Sequence, residues 1–124
     1  MTQALPPPPV VLLVEDDTLV RTVVATFMED EGMKVVEAPD ADKALEVLEY
    51  RSDVKLLFTD INMPGSMDGL DLAREVHERW PQVLLMLTSG RRPPLTHIPR
   101  MGEFIPKPYD FEELADRIQR MLKR

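Results

Sequence analysis

The sequence predicts an α/β fold, an open parallel sheet with helices on both faces. Residues 10–14 and 83–87 are continuous apolar runs, 54–58 is nearly so, and each gives way to polar residues. Continuous rather than alternating apolarity marks strands covered on both faces. Between the runs lie segments whose apolar residues recur at helical spacing. Strand–helix alternation of this kind favours a parallel sheet. A length of 124 residues suits one domain with one core.

Residues 1–9 end in Pro6-Pro7-Pro8-Pro9 and read as an extended tail ahead of a domain at 10–124. Residues 10–14 form the first strand, followed by Glu15-Asp16-Asp17. From 18 to 31, Leu19, Val20, Val23, Val24, Phe27 and Met28 recur at helical spacing, so an amphipathic helix is expected. Asp17 or Thr18 can cap it and Gly32 ends it. Residues 33–37 form a second strand. Asp40 then caps a helix through about residue 51, with Ala41, Ala44, Leu45 and Leu48 inward. The third strand, from residue 54, stops at Asp60, and Asn62, Met63 and Pro64 follow. After a loop at 65–68, a helix over 69–79 carries Leu70, Ala73, Val76 and then Trp80 along one side, and Pro81 stops it. The fourth strand, 83–87, gives way to Thr88-Ser89-Gly90.

Between Gly90 and Gly102 the alternation breaks. Pro93, Pro94 and Pro99 remove helix hydrogen bonds and clash with the preceding turn. The fourth helix is therefore expected to be shortened or replaced by a Pro-rich loop. Residues 103–105 make a short fifth strand, followed by Pro106-Lys107-Pro108. Asp110 with Glu113 resembles a capping box and opens a last helix with Leu114, Ile118, Met121 and Leu122 inward. That helix runs to the last residue, so a single domain without an attached output domain is expected.

Composition narrows the function classes. No cysteine is present, which excludes disulfides and thiolate metal sites and fits a reducing cytoplasm. The net charge of −7 disfavours direct nucleic-acid binding. No apolar run is long enough for membrane insertion, and the N-terminus lacks a secretory pattern.

Chemistry concentrates at the strand ends. The first carries Glu15, Asp16 and Asp17, the third Asp60 and Asn62, the fourth Thr88 and Ser89, and Lys107 follows the fifth. In a parallel sheet these ends share one edge, which is where ligands bind in open α/β folds. Singly, each has a structural reading: helix-start acids, a turn aspartate, loop polarity, a solvated lysine. Together they describe a phosphoryl-transfer site. Clustered carboxylates repel unless a cation joins them, and hard oxygen donors suit Mg²⁺. Lysine supplies a positive charge, threonine a hydroxyl donor, and a carboxylate can itself accept the phosphoryl group.

In these pieces the sequence resembles the receiver domain of two-component response regulators. The matching stretches are 11–17, Thr59-Asp60-Ile61-Asn62-Met63-Pro64 with Met67-Asp68-Gly69-Leu70, Leu87-Thr88-Ser89-Gly90, and Phe104-Ile105-Pro106-Lys107-Pro108-Tyr109, spread over about 10–123. The resemblance implies a flavodoxin-like sheet in the order 2-1-3-4-5. It implies Asp60 as phosphoacceptor. Asp16 and Asp60 with the Asn62 carbonyl would then hold Mg²⁺, with Glu15 acting on the metal through water. Thr88 would be the switch hydroxyl, Lys107 the partner of phosphoryl oxygens and Phe104 the aromatic switch residue. The Lys107-Pro108 bond is expected to be cis. A sensor histidine kinase or histidine phosphotransfer protein would be the donor, with an unidentified protein downstream and dimerisation left open.

The chain departs from the pattern twice. Gly65-Ser66 lengthens one loop, and the 90–101 segment replaces a helix that in the family reports phosphorylation. A rival reading is a protein-binding module docking through 90–101, with phosphorylation secondary. Flavin binding lacks Gly, Ser or Thr donors after the first strand, where acids stand instead. An aspartyl-nucleophile hydrolase would usually place its nucleophile after the first strand, not the third. His77 and His97 read as surface residues.

Overall fold

The computed structural model describes residues 7–91, 93 and 95–124. Residues 1–6 of the expected tail lie outside that set, as do Arg92 and Pro94 of the Pro-rich segment. The apolar runs become five strands: β1 (Val10–Val14), β2 (Lys34–Ala38), β3 (Val54–Asp60), β4 (Leu84–Ser89) and β5 (Glu103–Pro106). All pair in parallel, in the order β2-β1-β3-β4-β5. The helices are α1 (Thr18–Asp30), α2 (Ala41–Tyr50), α3 (Gly69–Arg79) and α4 (Phe111–Leu122). This is the flavodoxin-like architecture.

Side chains alternate across a strand, and here each set finds its own core. Leu12, Leu57, Leu85 and Leu87 pack with Ala44 and Leu48 of α2 and Leu72 and Val76 of α3. Leu13, Phe58 and Met86 point the other way, onto Val24 and Met28 of α1 and Leu114, Ile118 and Met121 of α4. The central strands are thus buried on both faces, which is why they read as unbroken apolar runs. Among the described residues no helix is long and apolar enough to cross a membrane.

Local chemistry fixes the element ends. The Asp17 carboxylate accepts from the Val20 amide and caps α1. Gly32, with φ of +90°, closes it: its amide donates to the Glu29 carbonyl and that of Met33 to the Met28 carbonyl. That is a Schellman ending, with buried Met28 and Met33 as its apolar contact. Asp40 caps α2 through the Lys43 amide. The reciprocal capping box expected at Asp110 and Glu113 closes elsewhere. Asp68 and Asp71 form it at α3, whereas Asp110 simply accepts from the Glu112 and Glu113 amides.

Two expectations about apolar faces are refined. Leu19, Val20 and Val23 do not join the core: they are 73%, 37% and 47% exposed, and Val24, Ala25 and Met28 do the packing. The apolar stripe of α1 is wider than the strip the sheet covers. Among the described residues between β4 and β5 no α-helix forms. They include a 3₁₀ turn at Leu95–His97, and Ile98 packs against the α2–α3 side of the sheet. Met101, with φ of +72°, turns the chain back toward β5 and is exposed.

Candidate functional site

β1, β3 and β4 end side by side, with Asp60 in register beside Thr88. Register therefore brings Glu15, Asp60 and Thr88 to one edge, and all three are buried. The turn after β5 adds Lys107, whose amide donates to the Ser89 carbonyl at 2.9 Å. The Lys107-Pro108 bond is cis.

Asp60 is held by both oxygens. Its Oδ1 accepts from the Asn62 amide at 3.0 Å and its Oδ2 from Lys107 Nζ at 2.5 Å. The same ammonium stands 3.5 Å from Glu15 Oε2, so it bridges two acids contributed by different strands. Glu15 Oε1 accepts from the Asp17 amide at 3.1 Å, which closes the loop around Asp16. Asp16 itself is exposed. Burial pushes the Glu15 carboxyl above its usual range; the Asp17 amide and the Lys107 charge oppose this, and the Asp60 charge reinforces it. Burial pulls the Lys107 ammonium down, but the Asp60 hydrogen bond, the Asp60 charge and Glu15 outweigh it, so its proton is held more tightly than usual.

Thr88 faces another way. Its hydroxyl donates to the Ile105 carbonyl at 2.7 Å, across β4 to β5. Phe104, beside it on β5, is half-buried against the α2–α3 side of the sheet. Below the carboxylates a void of about 10 Å³, lined by Glu15, Phe58, Asp60, Thr88 and Tyr109, holds room for roughly one water. Burial raises the Tyr109 phenol.

Three further residues have a part in this geometry. Ser89 is a hub: its Oγ accepts from Asn62 Nδ2 at 2.6 Å and from the Arg91 amide at 3.0 Å, tying the β3 and β4 loops together. Gly69 begins α3 directly against the backbone of Asp60 and Ile61. A Cβ there would stand 2.0 Å from the Asp60 carbonyl oxygen, and the Gly69 amide donates to the Ile61 carbonyl at 2.8 Å. Its sequence signals were a glycine at the first position of a predicted helix and its place in the stretch Met67-Asp68-Gly69-Leu70. Arg21 donates to the Glu15 carbonyl at 2.8 Å. Being one arginine on an exposed-looking helix turn, it carried none.

The donors suit a hard dication in part. Only oxygen ligands are offered, and Lys107 marks where positive charge is already needed between Glu15 and Asp60. Among the described residues no three acids or imidazoles stand close enough for a closed metal cage. Mg²⁺ needs no such cage, since it keeps several waters and takes one or two carboxylates. Both expected histidines, His77 and His97, are exposed and belong to other parts of the surface.

The chain is similar to known proteins in sequence and fold. The profile of the response regulator receiver domain matches residues 11–119. The response regulator receiver protein CpdR of Brucella abortus is 33% identical over 112 residues, covering 87% of this chain and 92% of that protein. The two-component response regulator PhoP of Pseudomonas aeruginosa is 32% identical over 115 residues, 89% of this chain but 50% of PhoP. The chain thus spans half the length of that relative. Among solved structures, the receiver domain of the hybrid histidine kinase CckA superposes with a TM-score of 0.79 at 32% identity, covering 91% of this chain and 98% of that one. A response regulator receiver protein from Pseudomonas putida gives 0.84 at 25% identity, covering 94% and 99%. With the profile running from β1 into the last helix, the chain belongs to the receiver domain family of two-component response regulators.

Proposed function

We propose that this receiver takes a phosphoryl group from a protein phosphohistidine onto Asp60 and changes conformation as a signalling switch. The observation that carries the reading is the buried Asp60 carboxylate, aligned by the Asn62 amide and neutralised by Lys107. A carboxylate oxygen of Asp60 attacks phosphorus in line. The P–N bond breaks and its electron pair returns to the imidazole, leaving an aspartyl phosphate. Water later attacks phosphorus, releases phosphate and restores the carboxylate.

Glu15, Asp16, Asp60 and the Asn62 carbonyl are the groups that would hold Mg²⁺, which supplies charge neutralisation for the phosphoryl oxygens when bound. Lys107 moves its ammonium from Asp60 Oδ2 to a phosphoryl oxygen. Thr88 exchanges the Ile105 carbonyl for another phosphoryl oxygen, and half-buried Phe104 responds to the space that rotation leaves. The switch is a shift between two hydrogen-bonded arrangements of one hydroxyl.

A protein donor is supported by the surface beside Lys107. An open groove of about 360 Å³ is lined by Leu19, Val20, Val23, Pro108, Tyr109 and Phe111, the same α1 side chains that the core leaves out. We assign this groove to the histidine kinase or phosphotransfer protein. A cytoplasmic location belongs to the same proposal, as does a downstream partner that reads the β4–β5 side.

The test is phosphorylation by phosphoramidate, a small P–N donor, with Mg²⁺ or with chelator. Hydroxylamine-labile phosphate should form on the wild type only with Mg²⁺. Label that resists hydroxylamine, or that forms equally with chelator, would contradict the reading.

A further inference from the structure

The acidic loop after β1 is held by a clamp that the phosphoryl-transfer chemistry does not itself use. The Glu15 amide donates to the Ala38 carbonyl of β2 at 3.2 Å. The Glu15 carbonyl accepts from Arg21 Nη1 at 2.8 Å, and Arg21 Nε donates to Glu37 Oε1 on β2 at 3.2 Å. One guanidinium therefore joins α1, the end of β1 and the end of β2. Its side chain is only 16% exposed, although α1 is a surface helix. Asp16 lies between two pinned residues, Glu15 on this clamp and Asp17 in the cap of α1.

We infer that Arg21 is a positioning residue for the Glu15–Asp16 acidic pair, setting Mg²⁺ affinity through the backbone rather than through its charge. This rests on the reading of the acids as a metal site. The geometry requires an arginine: two N–H groups of one rigid plane serve two acceptors on different strands, and a lysine ammonium on a flexible stem cannot fix both. Its charge is already answered by Glu37, so it adds little field at the acids.

The two explanations predict opposite signs. If Arg21 acted by charge, removing a cation near the acids would tighten Mg²⁺ binding. If it acts by position, removing it frees the loop and weakens binding, by about tenfold or more, as loss of groups that orient metal ligands does. Calorimetric titration of Mg²⁺ into wild type, Arg21→Met, Arg21→Lys and the control Arg79→Met decides, with circular dichroism showing that each is folded. The inference predicts weaker binding in both Arg21 variants and unchanged binding in Arg79→Met, whose guanidinium meets Glu49, Glu75 and the Trp80 ring rather than the acidic loop. Folded Arg21→Met with unchanged or tighter affinity would overturn it. Loss of the fold in both Arg21 variants would make Arg21 a stability residue and overturn it as well. A wild type that takes up no Mg²⁺ would overturn the metal-site reading and this inference with it.

Discussion

Glu15 shows how tightly single residues are poised here. It is 6% exposed and shares Lys107 with Asp60. Its carboxyl is raised in the fold, so the folded state holds the proton more tightly than the unfolded chain. The stability this contributes is complete below the ordinary glutamate range and is lost as pH rises through the raised value. In metal-free protein, Glu15→Gln should therefore raise the melting temperature at neutral pH and flatten the pH dependence above the acid range. Thermal melts in chelator across that range check it. Thr88 has a different stake. Thr88→Val keeps the shape but leaves the Ile105 carbonyl without its donor, which should cost about 1–2 kcal/mol in urea unfolding. Asp60, Thr88 and Lys107 were legible in the sequence because each is a polar residue directly at or after an apolar strand. Ser89 was visible as polarity, but its bonds to Asn62 and Arg91 were not, since nothing in a sequence says which loop lies opposite.

At the scale of elements, caps and stops were read well because their chemistry is local. Asp17, Gly32, Asp40 and Asp110 act within a few residues of themselves. Faces were read less well, because coverage is set by neighbours distant in sequence. The apolar stripe on α1 spans positions 19 to 28, and only its inner edge meets the sheet. Leu19→Asp should thus change stability by less than about 0.5 kcal/mol. It should slow phosphoryl transfer from a protein phosphohistidine while leaving phosphoramidate as good a donor as before, a comparison made by parallel time courses. The start of α3 is the opposite case. Gly69→Ala would drive a methyl into the Asp60 carbonyl and should destabilise by about 1–3 kcal/mol, as overpacking does. It should also slow phosphorylation by displacing the acceptor. Denaturant melts beside phosphorylation rates separate the two effects.

For the whole molecule, the two-faced sheet follows from the apolar runs, and its strand order followed only from the family resemblance. What pattern alone left open was how the described residues of the 90–101 segment meet the sheet. Ile98 and the half-buried Phe104 pack against the α2–α3 side there, while Met101 stays exposed at the turn. Phe104 lies on β5 next to the Ile105 carbonyl that holds Thr88, so under the proposed switch a hydroxyl leaving that carbonyl would act on this edge. The candidate site gathers Glu15, Asp60, Thr88 and Lys107 from four strand ends, while Asp16 is exposed.

The central claim is that Asp60 accepts the phosphoryl group. Intact-mass measurement after incubation with acetyl phosphate and Mg²⁺ tests it most directly. Wild type should gain the mass of one phosphoryl group, reversibly, and Asp60→Asn should gain none. A wild type that gains nothing, or an Asp60→Asn variant that gains as much, would contradict the account.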